Sequence, residues 1–253
     1  PVDMAEQAQA RRRLVYEEVL ALEMHLMQQA QAELGDASPR THAVDGPARR
    51  AFEEHLPFSL TGDQQCAVAD ISQRMAAPER MRHMLLGDVG TGKTMVAAFA
   101  LVMAADSGEQ ALMMGPTEVL VDQYAQGLGP LLEKSGVTWA KLTGSTPASE
   151  RETILEGLAS GSISVCFGTH ALLVDDVVCL NCGLVIIDEE QRFGVDQREA
   201  LMAKAAACDV LEMTATPIPR TLALALYGSM TQSYLPMGDE ERTLSLQLGA
   251  RNA

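Results

Sequence analysis

The chain has 253 residues, with 19 Lys or Arg against 34 Asp or Glu, a formal charge of −15 and 47% hydrophobic residues. That length and apolar content suit one large domain or two small ones with a sizeable core, and the net negative field repels nucleic acid, so any nucleic-acid contact must come from a local patch or from segments outside this chain. No run of about 18 apolar residues is present to span a membrane, and the opening PVDMAEQAQARRR has neither the order of a secretory signal nor an initiator Met, as expected of a piece of a longer protein.

Residues Met4 to Leu34 are rich in Ala, Glu, Gln, Leu and Met and contain no Pro or Gly, which predicts one long helix ending at Gly35. The stretch GDASPRTHAVDGPARR reads as a loop or linker. Residues 1–50 are therefore expected to form a helix and linker, and 51–235 the main domain. Thr61 is placed to cap a helix running to about Met75. Downstream the pattern alternates. MLLG reads as a short buried strand, KTMVAAFALVMAAD as a helix and QALMMGP as a strand. EVLVDQYAQGLGPLLEK is a helix, VTWAKLTG a strand and ASERETILEGLAS a helix. ISVCFGT, GLVIID and DVLEMTAT are strands. Strands alternating with helices predict an α/β fold with a mostly parallel sheet covered on both faces. The tail from 236 to 253 is left unassigned. Five scattered cysteines suit a reducing compartment. Cys179 and Cys182 form one C-x-x-C without the second pair a zinc site needs, so they read as buried thiols leading into a strand.

The stretch LLGDVGTGKT carries the strongest chemical signal. Gly87, Asp88, Val89, Gly90, Thr91, Gly92, Lys93 and Thr94 match G-x-x-x-x-G-K-[ST], between a predicted strand and a predicted helix. Glycines let backbone N–H groups curl around phosphate oxygens, and the helix N-terminus adds partial positive charge. Lys93 is expected to reach the β and γ phosphates and Thr94 to ligate Mg²⁺. In LVIIDEEQ, Asp188 and Glu189 close a buried strand, at the end of an α/β sheet where ligands bind. Asp188 is the expected Mg²⁺ carboxylate, and Glu189 the group that orients or deprotonates the attacking water. Together the two motifs predict a nucleoside triphosphatase that uses Mg²⁺.

Three further segments stay open on the residues alone. MTATPIPRTL ends a strand with Thr214 and Thr216, and reads equally as a rigid loop or as a bridge from the acidic cluster to a moving part. GPTEVLVDQY and FGTHALL each put a hydroxyl and a helix start after a strand, which suits either ordinary capping or a nucleic-acid phosphate. PFSLTGDQQ offers an aromatic, a cap and glutamines upstream of the glycine-rich loop, and an amide can read an adenine edge.

The ordered set LPFSLTGDQQ, GDVGTGKT, GPTEVLVDQ, LTGS, GTHALL, IIDEEQRFGVDQR and TATPIPRTL resembles the first motor domain of superfamily-two helicases. The nearest likeness is to the RecG family of bacterial branched-DNA helicases, over about Arg11 to Tyr234. The transcription-repair coupling translocases share several of these phrases. The resemblance implies a RecA-like ATP-binding domain of a cytoplasmic helicase or translocase that remodels forks and recombination junctions. It implies adenine recognition by Gln64 with Phe58 beside the base, a catalytic set of Lys93, Asp188, Glu189 and Gln191, and coupling through Thr214 and Thr216. It places Pro116, Thr117, Gly168, Thr169 and His170 along a DNA track. Branched or double-stranded DNA is the implied partner, and no membrane is. The second RecA-like domain, with its arginine finger, and the wedge domain would lie outside this chain, so the chain alone is expected to bind nucleotide and hydrolyse it weakly. Glu190 and Gln191 depart from the D-E-Q-H usual in RecG and lean toward the translocases. Readings from another class are a nucleotide-gated binding module without motor activity and a P-loop kinase.

Overall fold

The structure is a computed structural model. It describes residues 41–189, 208–215 and 230–236, and the isolated residues 11, 13, 16, 17, 20, 21, 24, 193, 197 and 200. The chain forms two compact units, Pro1–Ala37 with Ile218–Met230, and Ser38–Pro217 with Thr231–Ala253. In the first, the described residues between 11 and 24 are helical, and Arg13 pairs with Glu17 one turn on, at 3.1 Å. The second unit carries the sheet.

Its described elements are α1 (Pro47–Glu54), α2 (Gly62–Met75), β1 (Arg82–Gly87), α3 (Lys93–Asp106), β2 (Gln110–Met114), α4 (Glu118–Lys134), β3 (Trp139–Leu142), α5 (Ala148–Ser160), β4 (Val165–Gly168), β5 (Cys182–Asp188), β6 (Asp209–Thr214) and β7 (Thr231–Leu235), with a 3₁₀ turn at His170–Leu173. The strands make one sheet in the order β3-β4-β2-β5-β6-β1-β7. Every strand pair in it is parallel. This is the RecA-like α/β arrangement expected above.

The strands β2, β4 and β6 are buried at every position, as a sheet covered on both faces requires. Side chains alternate between two cores. Met113, Phe167, Leu184 and Ile186 join Phe52, Ile71 and Phe99 on one face. Leu112, Met114, Val185 and Ile187 join Ile154 and Leu158 of α5 on the other. Helix α3 is buried without interruption from Val96 to Ala104, the mark of a central helix rather than a surface one.

Two elements depart from the sequence reading. The stretch read as a loop through residue 50 is helical from Pro47, because its cap lies far along the chain. Asp106, the last residue of α3, accepts from Ala48 N at 2.8 Å and Arg49 N at 2.9 Å. A Cβ on Gly46 would meet the Asp106 carboxyl carbon at 2.1 Å, so only glycine fits there. Phe52 then buries edge-on against Phe99, with ring centroids 5.3 Å apart. The second departure is β7, an edge strand held to β1 in part by His83. Its ring nitrogens lie 2.8 Å from Thr231 Oγ1 and 3.0 Å from Ser233 Oγ.

Candidate functional site

Parallel register brings the motif-bearing strand ends to one edge. Leu86 pairs with Thr214, and Asp188 pairs with Met213. The glycine-rich loop after β1 and the acids of β5 therefore stand level, with buried Thr214 on the strand between them.

The loop is shaped by its glycines. Gly90 and Gly92 have φ of 90° and 83°, left-handed values that a Cβ disfavours. The carbonyl oxygen of Asp88 accepts from Thr91 Oγ1 at 2.9 Å and from Lys93 Nζ at 3.0 Å. Lys93 Nζ also donates to Gly87 O. Gln64 belongs to a reciprocal cap at the start of α2, where its N–H donates to Thr61 Oγ1 and its Oε1 accepts from Thr61 N. Its Nε2 donates to Thr91 O at 2.9 Å, tying α2 to the loop. Phe58 is half-exposed and lines a separate depression with Arg49, Leu60 and Gln65.

Across from the loop, Asp188 is almost fully buried, and the Tyr124 hydroxyl donates to its Oδ2. Burial pushes the Asp188 carboxyl up from the ordinary carboxylate value. Glu189 adds to that push, whereas the Tyr124 hydrogen bond and Lys93 oppose it. Burial lowers the Lys93 ammonium, against the pull of Asp188, Glu189 and Asp88. Tyr124 is raised by burial and by the two carboxylates, so it stays a donor. Glu189 has φ of 54°, a left-handed value costing about 1–3 kcal/mol in a non-glycine residue. Two contacts hold it there: Glu189 N donates to Met213 O at 2.9 Å, and Glu189 Oε1 accepts from Ala215 N at 3.2 Å.

One cavity of about 500 Å³ is lined by Val89, Gly90, Gly92, Lys93 and Thr94, by Asp188 and Glu189, and by Leu120, Gln123 and Tyr124 of α4. The α4 residues escaped the sequence reading. Their signal was the spacing of Leu120, Gln123 and Tyr124, which puts all three on one face of a helix starting at a strand end. Gln191 and Thr216 lie outside the described residues.

The remaining candidates sit farther along the same edge. Thr117 caps α4, accepting from Leu120 N at 3.3 Å, and follows Pro116. Gly168 ends β4, and its carbonyl accepts from Gly115 N at 2.9 Å. Thr169 caps the 3₁₀ turn, and His170 is exposed. At the amino edge of the sheet, Cys208 Sγ donates to Cys182 O at 3.2 Å. Among the described residues no cluster of three or more His, Cys, Asp or Glu is arranged to hold a metal.

A left-handed glycine loop opening a helix, facing an acid pair on a strand two places away in the sheet, defines a RecA-like P-loop nucleotide-binding domain. The DEAD/DEAH box helicase family matches residues 61–225, and the chain belongs to that family. It is 44% identical over 226 residues to the ATP-dependent DNA helicase RecG of Bacillus subtilis, covering 89% of this chain and 33% of that protein. It is 41% identical over 241 residues to the RecG of Staphylococcus epidermidis, covering 94% and 35%. The chain thus spans about a third of the length of these relatives. A solved structure of RecG bound to a three-way DNA junction superposes with a TM-score of 0.81 at 38% identity, covering 94% of this chain and 32% of that one. The DUF1998 helicase MrfA, at 17% identity and TM-score 0.59 over 78% of this chain and 33% of its own, shares the fold. No described helix is long and apolar enough to cross a membrane.

Proposed function

We propose that this chain is the ATP-binding motor domain of a RecG-type helicase, working in the cytoplasm on branched or double-stranded DNA. The single observation that carries the reading is that Lys93 and Asp188 line one cavity with the glycine loop. In it, the amides of the loop and of the α3 N-terminus bind the phosphates. Lys93 moves from the Gly87 and Asp88 carbonyls to the β and γ phosphate oxygens. The donor set fits Mg²⁺, which takes one or two carboxylates plus phosphate oxygens rather than a full protein cage. Thr94 and Asp188 would hold it, and it would neutralise charge on those oxygens. Glu189 orients or deprotonates the attacking water, and Gln191 shares the catalytic role. Gln64 reads the adenine edge, with Phe58 near the base.

Thr214 lies between the loop and the acids, which supports a coupling role shared with Thr216. Pro116, Thr117, Gly168, Thr169 and His170 would meet DNA phosphates along the ends of β2 and β4. An arginine finger from a second RecA-like domain is worth about 10³ to 10⁵ in rate, so the chain alone hydrolyses slowly. The test measures ATP turnover of the parent protein with and without a three-way DNA junction. Junction DNA is expected to raise turnover. Glu189→Gln is expected to retain nucleotide binding and lose turnover. A turnover that ignores DNA would remove the motor reading.

A further inference from the structure

Tyr124 stands where the metal-holding carboxylate meets the strand ends that carry Pro116–Thr117 and Gly168–Thr169. Its hydroxyl donates to Asp188 Oδ2, and its side chain is buried. Asp188 in turn lines the cavity with the glycine loop. The Tyr124 ring lies 6.4 Å from that of Phe167, the residue before Gly168. It also packs against the end of β2. A Cβ added to Gly115 would sit 3.0 Å from Tyr124 Cε2 and 3.2 Å from Val121 Cγ2. Glycine at 115 therefore makes the room that the ring occupies.

Packing alone would be met by Phe. A phenolic oxygen taken out of water is costly unless it is bonded, and here its bond goes to a carboxylate, the stronger kind. A carboxylate at a strand end otherwise rotates about χ1 and χ2, and a metal that demands near-ideal geometry is sensitive to that freedom. We propose that Tyr124 is a positioning residue for Asp188: its hydroxyl fixes the carboxylate in one orientation toward the metal, and its ring carries displacements of the β2 end to that carboxylate. The inference rests on the Mg-nucleotide reading above and adds to it a group contributed by α4.

Calorimetry of ADP binding to this chain, once in EDTA and once in Mg²⁺, tests it. Tyr124→Phe keeps the ring and removes the hydroxyl. It is expected to cut the Mg²⁺-dependent gain in affinity about tenfold, the scale of a hydrogen bond to a charged group, with less than twofold change in EDTA. Gly115→Ala pushes on the ring from β2 and is expected to cut the same gain several-fold. In the Tyr124→Phe background it is expected to add nothing, because the path to Asp188 is already broken. An undiminished Mg²⁺ gain in Tyr124→Phe, or equal losses with and without Mg²⁺, overturns the positioning role. Full additivity of Gly115→Ala overturns the transmission. Lys93→Ala loses binding under both conditions, which separates failure of the site from failure of Tyr124. An unmodified chain that binds no ADP overturns both readings.

Discussion

Two nearly buried carboxylates mark opposite edges of the same sheet on neighbouring strands. Asp188 closes β5 and Asp209 opens β6. Asp209 is answered from inside the fold. Its Oδ1 accepts from Met81 N at 2.7 Å, and its Oδ2 lies 3.1 Å from His42 Nε2. The other ring nitrogen of His42 is 3.2 Å from Glu109 Oε2, and the histidine side chain is wholly buried. These are contacts at ion-pair distance with angles poor for hydrogen bonds. Asp188 instead faces a cavity, opposite an ammonium group and a loop of left-handed glycines. Both carboxylates are buried, so burial alone does not distinguish a site from a brace. The distinction lies in what each carboxylate faces. One is closed by a histidine from the segment before α1, and the other is left open for a charged ligand at the strand end where α/β sheets bind.

The largest test of this contrast is Lys93→Ala. It removes the ammonium group proposed to contact phosphate and is expected to weaken Mg-nucleotide binding about 100-fold or more, roughly 3 kcal/mol, with little change in melting temperature. Calorimetry and a thermal melt on the same sample check it.

The converse is His42→Ala. Removing the ring leaves Glu109 and Asp209 facing each other in the interior. The expected cost is about 3 kcal/mol of stability, roughly 10 °C in the melting midpoint for a domain of this size, while nucleotide affinity in the folded state persists. A variant that melts normally and loses nucleotide would reverse the assignment of the two edges.

A third test uses pH. Burial among the hydroxyls of Thr231 and Ser233 lowers the His83 pKa from 6.5 to about 4, with Asp70 opposing and Arg74 reinforcing. The unfolded chain binds the proton first, so this stability is present above pH 6.5 and is lost as pH falls from 6.5 toward 4. The expected loss is at most about 3 kcal/mol. His83→Gln should flatten that part of the denaturation profile, and an unchanged slope would sink the prediction.

The smallest effect is expected from Thr117→Ala. It removes the α4 cap at a cost of about 1 kcal/mol in chemical denaturation, without altering Mg-nucleotide affinity.

Local information was enough for much of this molecule. Helices α2, α3, α4 and α5 run over the residues that spacing and capping predict, including α4, which continues through Pro130. The glycine loop was legible because phosphate binding needs consecutive bare amides, and only glycines and a fixed lysine spacing supply them. The acid pair was legible because an apolar run ending in two carboxylates has few other uses. What escaped notice depends on partners distant in sequence. Helix α1 takes its cap from Asp106, β7 needs β1 to pair with, and Tyr124 gains its meaning only from Asp188, 64 residues away.

By itself, then, the sequence determined the alternating architecture and the glycine-loop and acidic motifs from which a phosphate and metal site is proposed, since those follow from short-range patterns of apolarity, backbone freedom and charge. Only the tertiary structure decided which buried carboxylate is braced and which is open, and which helix face closes the cavity. Those outcomes depend on the order in which strands meet in the sheet, and that order brings together residues that no short window of sequence contains.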